Sequence, residues 1–452
     1  MNRKEIDSFF ESQMPFIMED LRRLIAIPSV SSDKENVGKA LDFVLSVGKR
    51  LGFRAESHLD HQVGVIELGE GDETVGILTH IDVVPQGDEE LWKTPPFEMR
   101  EIDGKLFGRG TLDDKGATLV SLYAMKAIVD SGQPLKKRVQ LIIGTQEEVE
   151  WVDMEAYVKK FPLPDYGFTP DGEFPLCNIE KGIADVLIRF PIANENSDGK
   201  AVTFIEGGTA LNAVPGKCTY KVGYFVKGLE MSAQNFQVKG KTVHSCQPER
   251  GVNAILLAVK EILEEDLREN TFYKVCNFIE EYFSSMYGEK LGLYSDNEYY
   301  NGEFVHRNVF SPTVLNTTDD YIELGINCRL AFGTDEKKVV EIIEKKSRGY
   351  GGKVVYSHTM PAVYISKERP FMKEFAKAYE EITGEENEYV LAYGGSYAKA
   401  MPNIVSWGPI FLGEEDTCHE ENEYILKDSL IKNGKIFALA LSKIVFNEKS
   451  YK

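Results

Sequence analysis

An α/β fold is predicted for this chain: a mostly parallel sheet flanked by helices and interrupted by an inserted α+β unit. Three observations predict it. Short β-branched runs, VGVIEL, VGILTH and RVQLIIG, alternate with segments of helical apolar spacing in the first third of the chain. Beyond EKGI, which ends at Ile183, the pattern changes to longer alternating runs, ADVLIRFPI, CTYKVGYFV and YIELGINCRLAF. A helical pattern then resumes over 371–382, so the first unit is completed after the insertion. The expected boundaries are 1–182 and 367–452 for the two parts of the main domain and 183–366 for the inserted one.

Local residues justify each element in turn. Over 5–27 the apolar residues Phe9, Phe10, Phe16, Ile17, Leu21, Leu24 and Ile25 recur at helical spacing and stop at the IPSV turn. A second helix is expected over 37–51, after which VGVIEL and VGILTH open the sheet. Asp113 and Asp114 stand just before a helix whose face is Leu119, Val120, Tyr123, Ala124, Ala127 and Ile128, and RVQLIIG supplies the next buried strand. A helix over 252–267 separates strands of the inserted unit. No tandem repeat, low-complexity tract or Gly/Ser linker occurs, so short strand-like hinges are expected between the domains. The C-terminal IFALALSKIVF, interrupted by Lys443, is too short to span a membrane and reads as a docking helix.

Composition narrows the function classes. A length of 452 residues favours two or three domains. A formal net charge of −20 with no basic stripe argues against nucleic acid as a partner and favours a small ligand or a metal. The six cysteines show no CxxC pairing, which predicts reduced thiols and a cytoplasmic setting. The N-terminal MNRKEIDSFFESQMPF mixes charges among its apolar residues, so neither a signal peptide nor a membrane anchor is expected.

Residues able to carry chemistry fall just past the expected strand ends, where open α/β sheets bind ligands. His80 and Asp82, two apart in THID, point to one side of an extended segment, so His80 can ligate a metal while Asp82 fixes its imidazole. Alone the pair carries little weight, because a single histidine is often a satisfied core residue. Glu147 and Glu148 follow RVQLIIG; one could hold a metal while the other faces the water to be activated, or both could belong to a solvated turn. Asp113 and Asp114 could simply complement a helix dipole, Asp171 in TPDGEFP could make an Asx turn, and His419 sits in an acidic run of the kind that marks a surface. Together these residues supply two imidazoles and several carboxylates, a set suited to zinc, manganese or cobalt and to a pair of ions bridged by one carboxylate. Spacing does not choose the bridge.

The blocks THIDVVPQGD, LFGRGTLDDKG, GTQEE, TPDGEFP, NIEKG, LNAVP, GKTVHSCQPERGVNA, GGSYAKAMPN and DTCHEENE run through nearly the whole chain. In these the sequence resembles the dinuclear-zinc metallopeptidase and deacylase family that includes aminoacylases, carboxypeptidase G, acetylornithine deacetylase, succinyl-diaminopimelate desuccinylase and the PepV-type dipeptidases. LDDKG, PDGEFP with EKG, and CHEENE are most similar to the last of these. The resemblance implies two divalent metal ions, zinc first, with manganese or cobalt as alternatives. His80 would bind one ion and Asp82 would orient it; Asp113 would bridge both; Asp171 would complete the first site, and Glu148 with His419 the second. Glu147 would be the general base, taking a proton from the attacking water and delivering it to the leaving amine.

By the same resemblance the inserted domain is a lid. His244 would stabilise the tetrahedral oxyanion, while Asn212 and Arg329 would bind substrate, Arg329 by gripping a carboxylate. The loop of Gly394, Gly395 and Ser396 would line the same pocket. Thr79 replaces a common glycine before HxD, Gln146 an acidic or small polar residue before EE, and Val149 a small residue after it; Cys418 beside His419 also departs from the pattern. The implied function is a metal-dependent dipeptidase acting on short peptides with free termini, as a monomer whose lid closes over the site. An N-acyl-amino-acid deacylase of the same family and a non-catalytic binding protein on this fold are the alternatives.

Overall fold

The computed structural model describes residues 1–193 and 198–452. The chain divides into two compact units: Met1–Ile179 with Tyr364–Ala392 and Ser396–Lys452, and Glu180–Val363 with Tyr393–Gly395.

The first unit is built on a mixed sheet whose centre is parallel. Arg138–Gly144, Thr74–His80, Tyr166–Thr169 and Ile404–Ser406 lie side by side and run the same way. Beyond Arg138–Gly144 the sheet continues with Val63–Leu68 and then Arg54–His58, each antiparallel to its neighbour. On the other side Cys177–Glu180 meets Ile404–Ser406 in antiparallel pairing. The parallel core is therefore the part that needs apolar runs buried on both faces, while the margin Arg54–His58 buries only Ala55.

Helices enclose this sheet. Arg3–Ile25 starts at a capping box in which Asn2 accepts from the Glu5 N–H and Glu5 accepts from the Asn2 N–H. It buries Phe10, Ile17, Leu21, Leu24 and Ile25, whereas Phe16, expected in the same stripe, is exposed. Lys34–Arg50 starts where Asp33 accepts from the Asn36 N–H. Lys115–Asp130 was expected to bury one face, yet it is buried without a break from Lys115 to Met125, because Arg3–Ile25, Lys427–Val445 and the sheet all pack on it. Its Lys115 amine donates to the carbonyls of Ile27 at 2.7 Å and Leu24 at 3.3 Å, tying it to the end of the first helix. IFALALSKIVF forms the second half of Lys427–Val445 and is buried along most of its length. Among the described residues no helix is long and apolar enough to cross a membrane, and all six cysteines are free thiols.

The second unit is an antiparallel sheet in the order Leu229–Lys239, Lys217–Val226, Gly199–Gly207, Val309–Thr317, Tyr321–Leu330, Gly182–Pro191, Lys353–Met360. The three alternating runs of the sequence are three of these strands. Helices Ala254–Glu264 and Thr271–Phe283 cover one face, where Ile255, Val259, Phe278 and Ile279 share a core with Val186, Ile188, Ile205 and Ile326. The helix expected to run to 267 stops at Glu264, and a second one begins where Asn270 accepts from the Tyr273 N–H.

One buried ion pair ties the C-terminus to the sheet. Glu73 is 7% exposed; Lys137 Nζ lies 2.9 Å away, the Tyr166 hydroxyl donates at 2.8 Å and the Tyr451 N–H at 3.3 Å. Burial works against its charge, but hydrogen bonds from Ser450, Lys137 and Tyr166 outweigh it and hold the carboxyl at about 2. A carboxylate depressed in this way contributes stability that is full above its ordinary value of 4.5 and is lost as pH falls toward about 2. Glu73→Gln is therefore expected to lose about 2–4 kcal/mol at neutral pH. Urea titrations should show the gap between variant and wild type closing as the pH is lowered through that window.

Candidate metal centre

Strand ends and one helix start converge at the carboxyl edge of the parallel strands. Thr74–His80 ends on His80, Arg138–Gly144 runs directly into the TQEE turn, Tyr166–Thr169 delivers Asp171, and Lys115–Asp130 begins just after Asp113. His419 comes from the loop between Pro409–Ile410 and Tyr424–Leu426, with a φ of 66° that few non-glycine residues adopt. The ligating atoms of His80, Asp113 and Glu148 lie within 4.8 Å of one another, as do those of His80, Glu147 and Asp171. His80 Nε2 is 2.8 Å from Asp113 Oδ1, while His419 Nε2 is 3.2 Å from Asp113 Oδ2 and 3.0 Å from Glu148 Oε2. Asp113 thus turns one oxygen to each imidazole.

Buried carboxylates fix the loops that carry these groups. His80 Nδ1 lies 2.9 Å from the Asp82 backbone oxygen, which fixes the ring and leaves Nε2 facing the cluster. The Asp82 carboxylate, 3.5 Å from that nitrogen, accepts from the Glu147 N–H at 3.1 Å, the Glu148 N–H at 3.3 Å and the Ser31 hydroxyl at 2.8 Å. Asp153 accepts from the Thr145 N–H at 2.7 Å, the Gln146 N–H at 3.1 Å and the Tyr397 hydroxyl at 2.9 Å. Gly144 makes room for that tyrosine, since a Cβ there would lie 2.3 Å from its hydroxyl oxygen. Glu423 accepts from Arg109 Nη1 at 2.8 Å, from the Gly110 and Leu112 N–H groups at 2.9 Å and from the Asp113 N–H at 3.2 Å. The Asp113–Asp114 peptide is cis. Asp114 does not cap the helix that follows; its carboxylate accepts from the His80 N–H at 3.2 Å.

Sequence reasoning missed Asp153, Arg109, Tyr397 and the role of Glu423. Glu423 lies inside the CHEENE block and Arg109 inside LFGRGTLDDKG, so both were in view without a partner to explain them. Asp153 reads locally as an ordinary acid in the first turn of Val152–Lys160. Its complete burial and its bonds from the Thr145 and Gln146 N–H groups and the Tyr397 hydroxyl mark it out. Of the positions that depart from the family pattern, Gln146 is held by its backbone and Val149 is exposed.

The electrostatics call for cations. Burial raises the carboxyl of Glu147, with repulsion from Asp171 adding to it; burial and Asp113 raise Glu148, against the pull of His419. Burial would raise Asp113 too, but hydrogen bonds with His419 and His80 hold it well below the usual carboxylate range. Burial disfavours both imidazolium ions, yet bonding to Asp113 and Asp82 raises His80 well above its ordinary value, and bonding to Asp113 and Glu148 raises His419 to about 11. Protons on the histidines therefore stand where the acids require positive charge. Mixed imidazole and carboxylate donors, with one carboxylate shared by two imidazoles, fit divalent ions of the zinc, manganese and cobalt type.

The remaining expected residues divide between the units. Ser396 is in the first, 2% exposed, its hydroxyl accepting from the Ala398 N–H at the start of the turn Tyr397–Lys399. Gly395, exposed, belongs to the second unit, as do His244, Asn212 and Arg329. Within that unit Ala213 pairs with His244 and the Asn212 carbonyl accepts from the Ser245 N–H, so Asn212 and His244 are neighbours. His244 Nδ1 accepts from the Cys246 N–H at 3.1 Å. Arg329, 5% exposed, donates from Nε to Asn327 Oδ1 at 3.0 Å.

The profile described as Peptidase family M20/M25/M40 matches residues 76–443. A Staphylococcus aureus protein (strain bovine RF122 / ET3-1) bearing the name "Putative dipeptidase" is 32% identical over 465 residues, covering 96% of this chain and 97% of its own. A Staphylococcus saprophyticus protein of the same name is 33% identical over 470 residues, covering 96% and 98%. The crystal structure of human carnosine dipeptidase 1 superposes with a TM-score of 0.63 at 16% identity over 97% of this chain and 98% of that one, a likeness of fold.

Removing metal should leave the acids compensated only by protons. Dialysis against a strong chelator is expected to lower the thermal midpoint near neutral pH, and adding zinc, manganese or cobalt to restore it. Differential scanning calorimetry checks this; a midpoint indifferent to both treatments would show that the cluster holds no ion.

Proposed function

Because the chain belongs to peptidase family M20/M25/M40, and is thereby a metal-dependent peptide hydrolase, we propose that it is a dipeptidase that cleaves short peptides with a free amino terminus and a free carboxylate. The observation that carries this reading is Asp113, with one oxygen toward His80 and the other toward His419, beside the fixed pair Glu147 and Glu148. The dipeptidase name borne by staphylococcal relatives across nearly their whole length supports the choice of substrate class.

In this reading His80, Asp113 and Asp171 would hold one divalent ion and Asp113, Glu148 and His419 the other, zinc being the first expectation. When bound, the ions supply Lewis acidity that polarises the scissile carbonyl and brings the pKa of water toward about 7. Glu147 takes the proton of the attacking water and passes it to the leaving amine. Its backbone N–H is anchored on Asp82, so the same residue steadies His80 and the base. His244 donates to the developing oxyanion, while Asn212, Arg329, Gly395 and Ser396 bind the substrate. The reading extends to a cytoplasmic setting, in keeping with cysteines that show no CxxC spacing, and to a monomer.

Two measurements test the reading. With zinc, manganese or cobalt present, dipeptides should be hydrolysed in preference to tripeptides and to N-acyl amino acids; a preference for N-acylated substrates would overturn it. Glu147→Gln should keep the metal content of wild type, two ions per chain by elemental analysis, while turnover falls by roughly 10²–10⁴-fold.

A further inference from the structure

Two cations are buried together in the second unit. Lys181 is 1% exposed and Arg329 5%. Ile183 sits opposite Arg329 in the pairing of Gly182–Pro191 with Tyr321–Leu330, Lys181 immediately precedes the first of these strands, and it is near enough for Arg329 to repel its amine. Lys181 Nζ donates to the Arg307 carbonyl at 2.8 Å, lies 3.1 Å from His306 Nδ1 and faces the Tyr393 ring at 5.7 Å. The His306 ring packs against the same tyrosine, 5.6 Å between centroids, and burial pushes its imidazole below its ordinary value, leaving it a neutral acceptor for the ammonium.

Arg329 is the underused member. Among the described residues it donates only from Nε, to Asn327 Oδ1, and takes part in no ion pair, so the four N–H groups of its terminal nitrogens are unspent. Asn327 is itself fixed, accepting from the Ser245 hydroxyl at 2.8 Å and donating to Asp185 at 2.6 Å. Burial pushes the Lys181 amine down to about 7; Glu249 attracts it and Arg329 repels it. Two buried like charges repel each other, and a planar carboxylate reaching the unspent N–H groups of Arg329 matches a guanidinium fork on one side and an ammonium on the other.

We propose that Lys181 is a substrate-binding residue that shares the peptide's C-terminal carboxylate with Arg329, and that His306 is a positioning residue that holds Lys181 in place. This rests on the dipeptidase reading, to which it adds a basis for demanding a free carboxylate. Lys181 was part of the EKG block in the sequence but had no role there.

The test compares a dipeptide with its C-terminal amide, using the metal-loaded enzyme. Lys181→Met is expected to raise KM for the free dipeptide by roughly 10–100-fold with kcat within about twofold, and to leave kcat/KM for the amide unchanged. Lys181→Arg should recover most of the loss, and His306→Ala should give a smaller change of the same kind. Circular dichroism and retained amide hydrolysis certify folding; should Lys181→Met not fold, Lys181→Gln takes its place. Equal losses on both substrates, or no change in either, would overturn the assignment of Lys181 while leaving dipeptide hydrolysis by wild type intact. A wild-type enzyme inactive on dipeptides would overturn both readings.

Discussion

The backbone N–H groups of Thr145, Gln146, Glu147 and Glu148 all end on buried carboxylates, the first two on Asp153 and the last two on Asp82. Charged acceptors make the stronger hydrogen bonds, and a site shielded from water strengthens them further. The turn leaving Arg138–Gly144 is thereby fixed at four successive points, and both glutamates project from a backbone with little freedom. Since the Asp82 carbonyl also engages His80 Nδ1, one residue sets the separation of the His80 strand end and the glutamate turn. Glu423 repeats the device on the loop that carries Asp113.

Such carboxylates are costly to bury, and the fold compensates each differently. Glu423 has Arg109 as a paired cation in addition to three backbone donors. Asp153 has backbone donors and the Tyr397 hydroxyl, and its carboxyl remains raised by burial. Asp113, Glu147 and Glu148 gather about His80 and His419, an excess of carboxylates that divalent ions, where bound, would offset. Acids hydrogen-bonded by the backbone hold the loops, and Asp113, Glu147 and Glu148, gathered about the two histidines, are the ones proposed above to meet metal ions.

Much of this was legible in the sequence because it is written locally. The runs VGILTH and RVQLIIG became neighbouring parallel strands, and the residues beyond their ends came together, since strand polarity alone sends His80 and the TQEE turn to one edge. The alternating runs of the insertion likewise encode an antiparallel sheet. What stayed hidden depends on partners far apart in the chain. Asp153 makes sense only beside Tyr397 and the turn of Thr145 and Gln146, and Glu423 only beside the loop of Gly110, Leu112 and Asp113. Phe16 fits the helical stripe of the first helix yet faces solvent, because periodicity marks a face without saying how wide the neighbouring surface is. Thr271–Phe283 escaped notice although its apolar stripe is clear once its cap at Asn270 is known.

The interleaving of the two units sets an order on synthesis. The second unit is one nearly continuous stretch of chain, Glu180–Val363, and its sheet can close while the ribosome is still at work. The first unit has to wait, because strand Ile404–Ser406 and helix Lys427–Val445, which cover the apolar surface of its sheet and of Lys115–Asp130, leave the ribosome after the second unit. His419 emerges with them, long after His80. A nascent chain therefore exposes a half-built sheet for most of its translation, and the cluster that His80 and His419 form about Asp113 is assembled only once the late segments are in place.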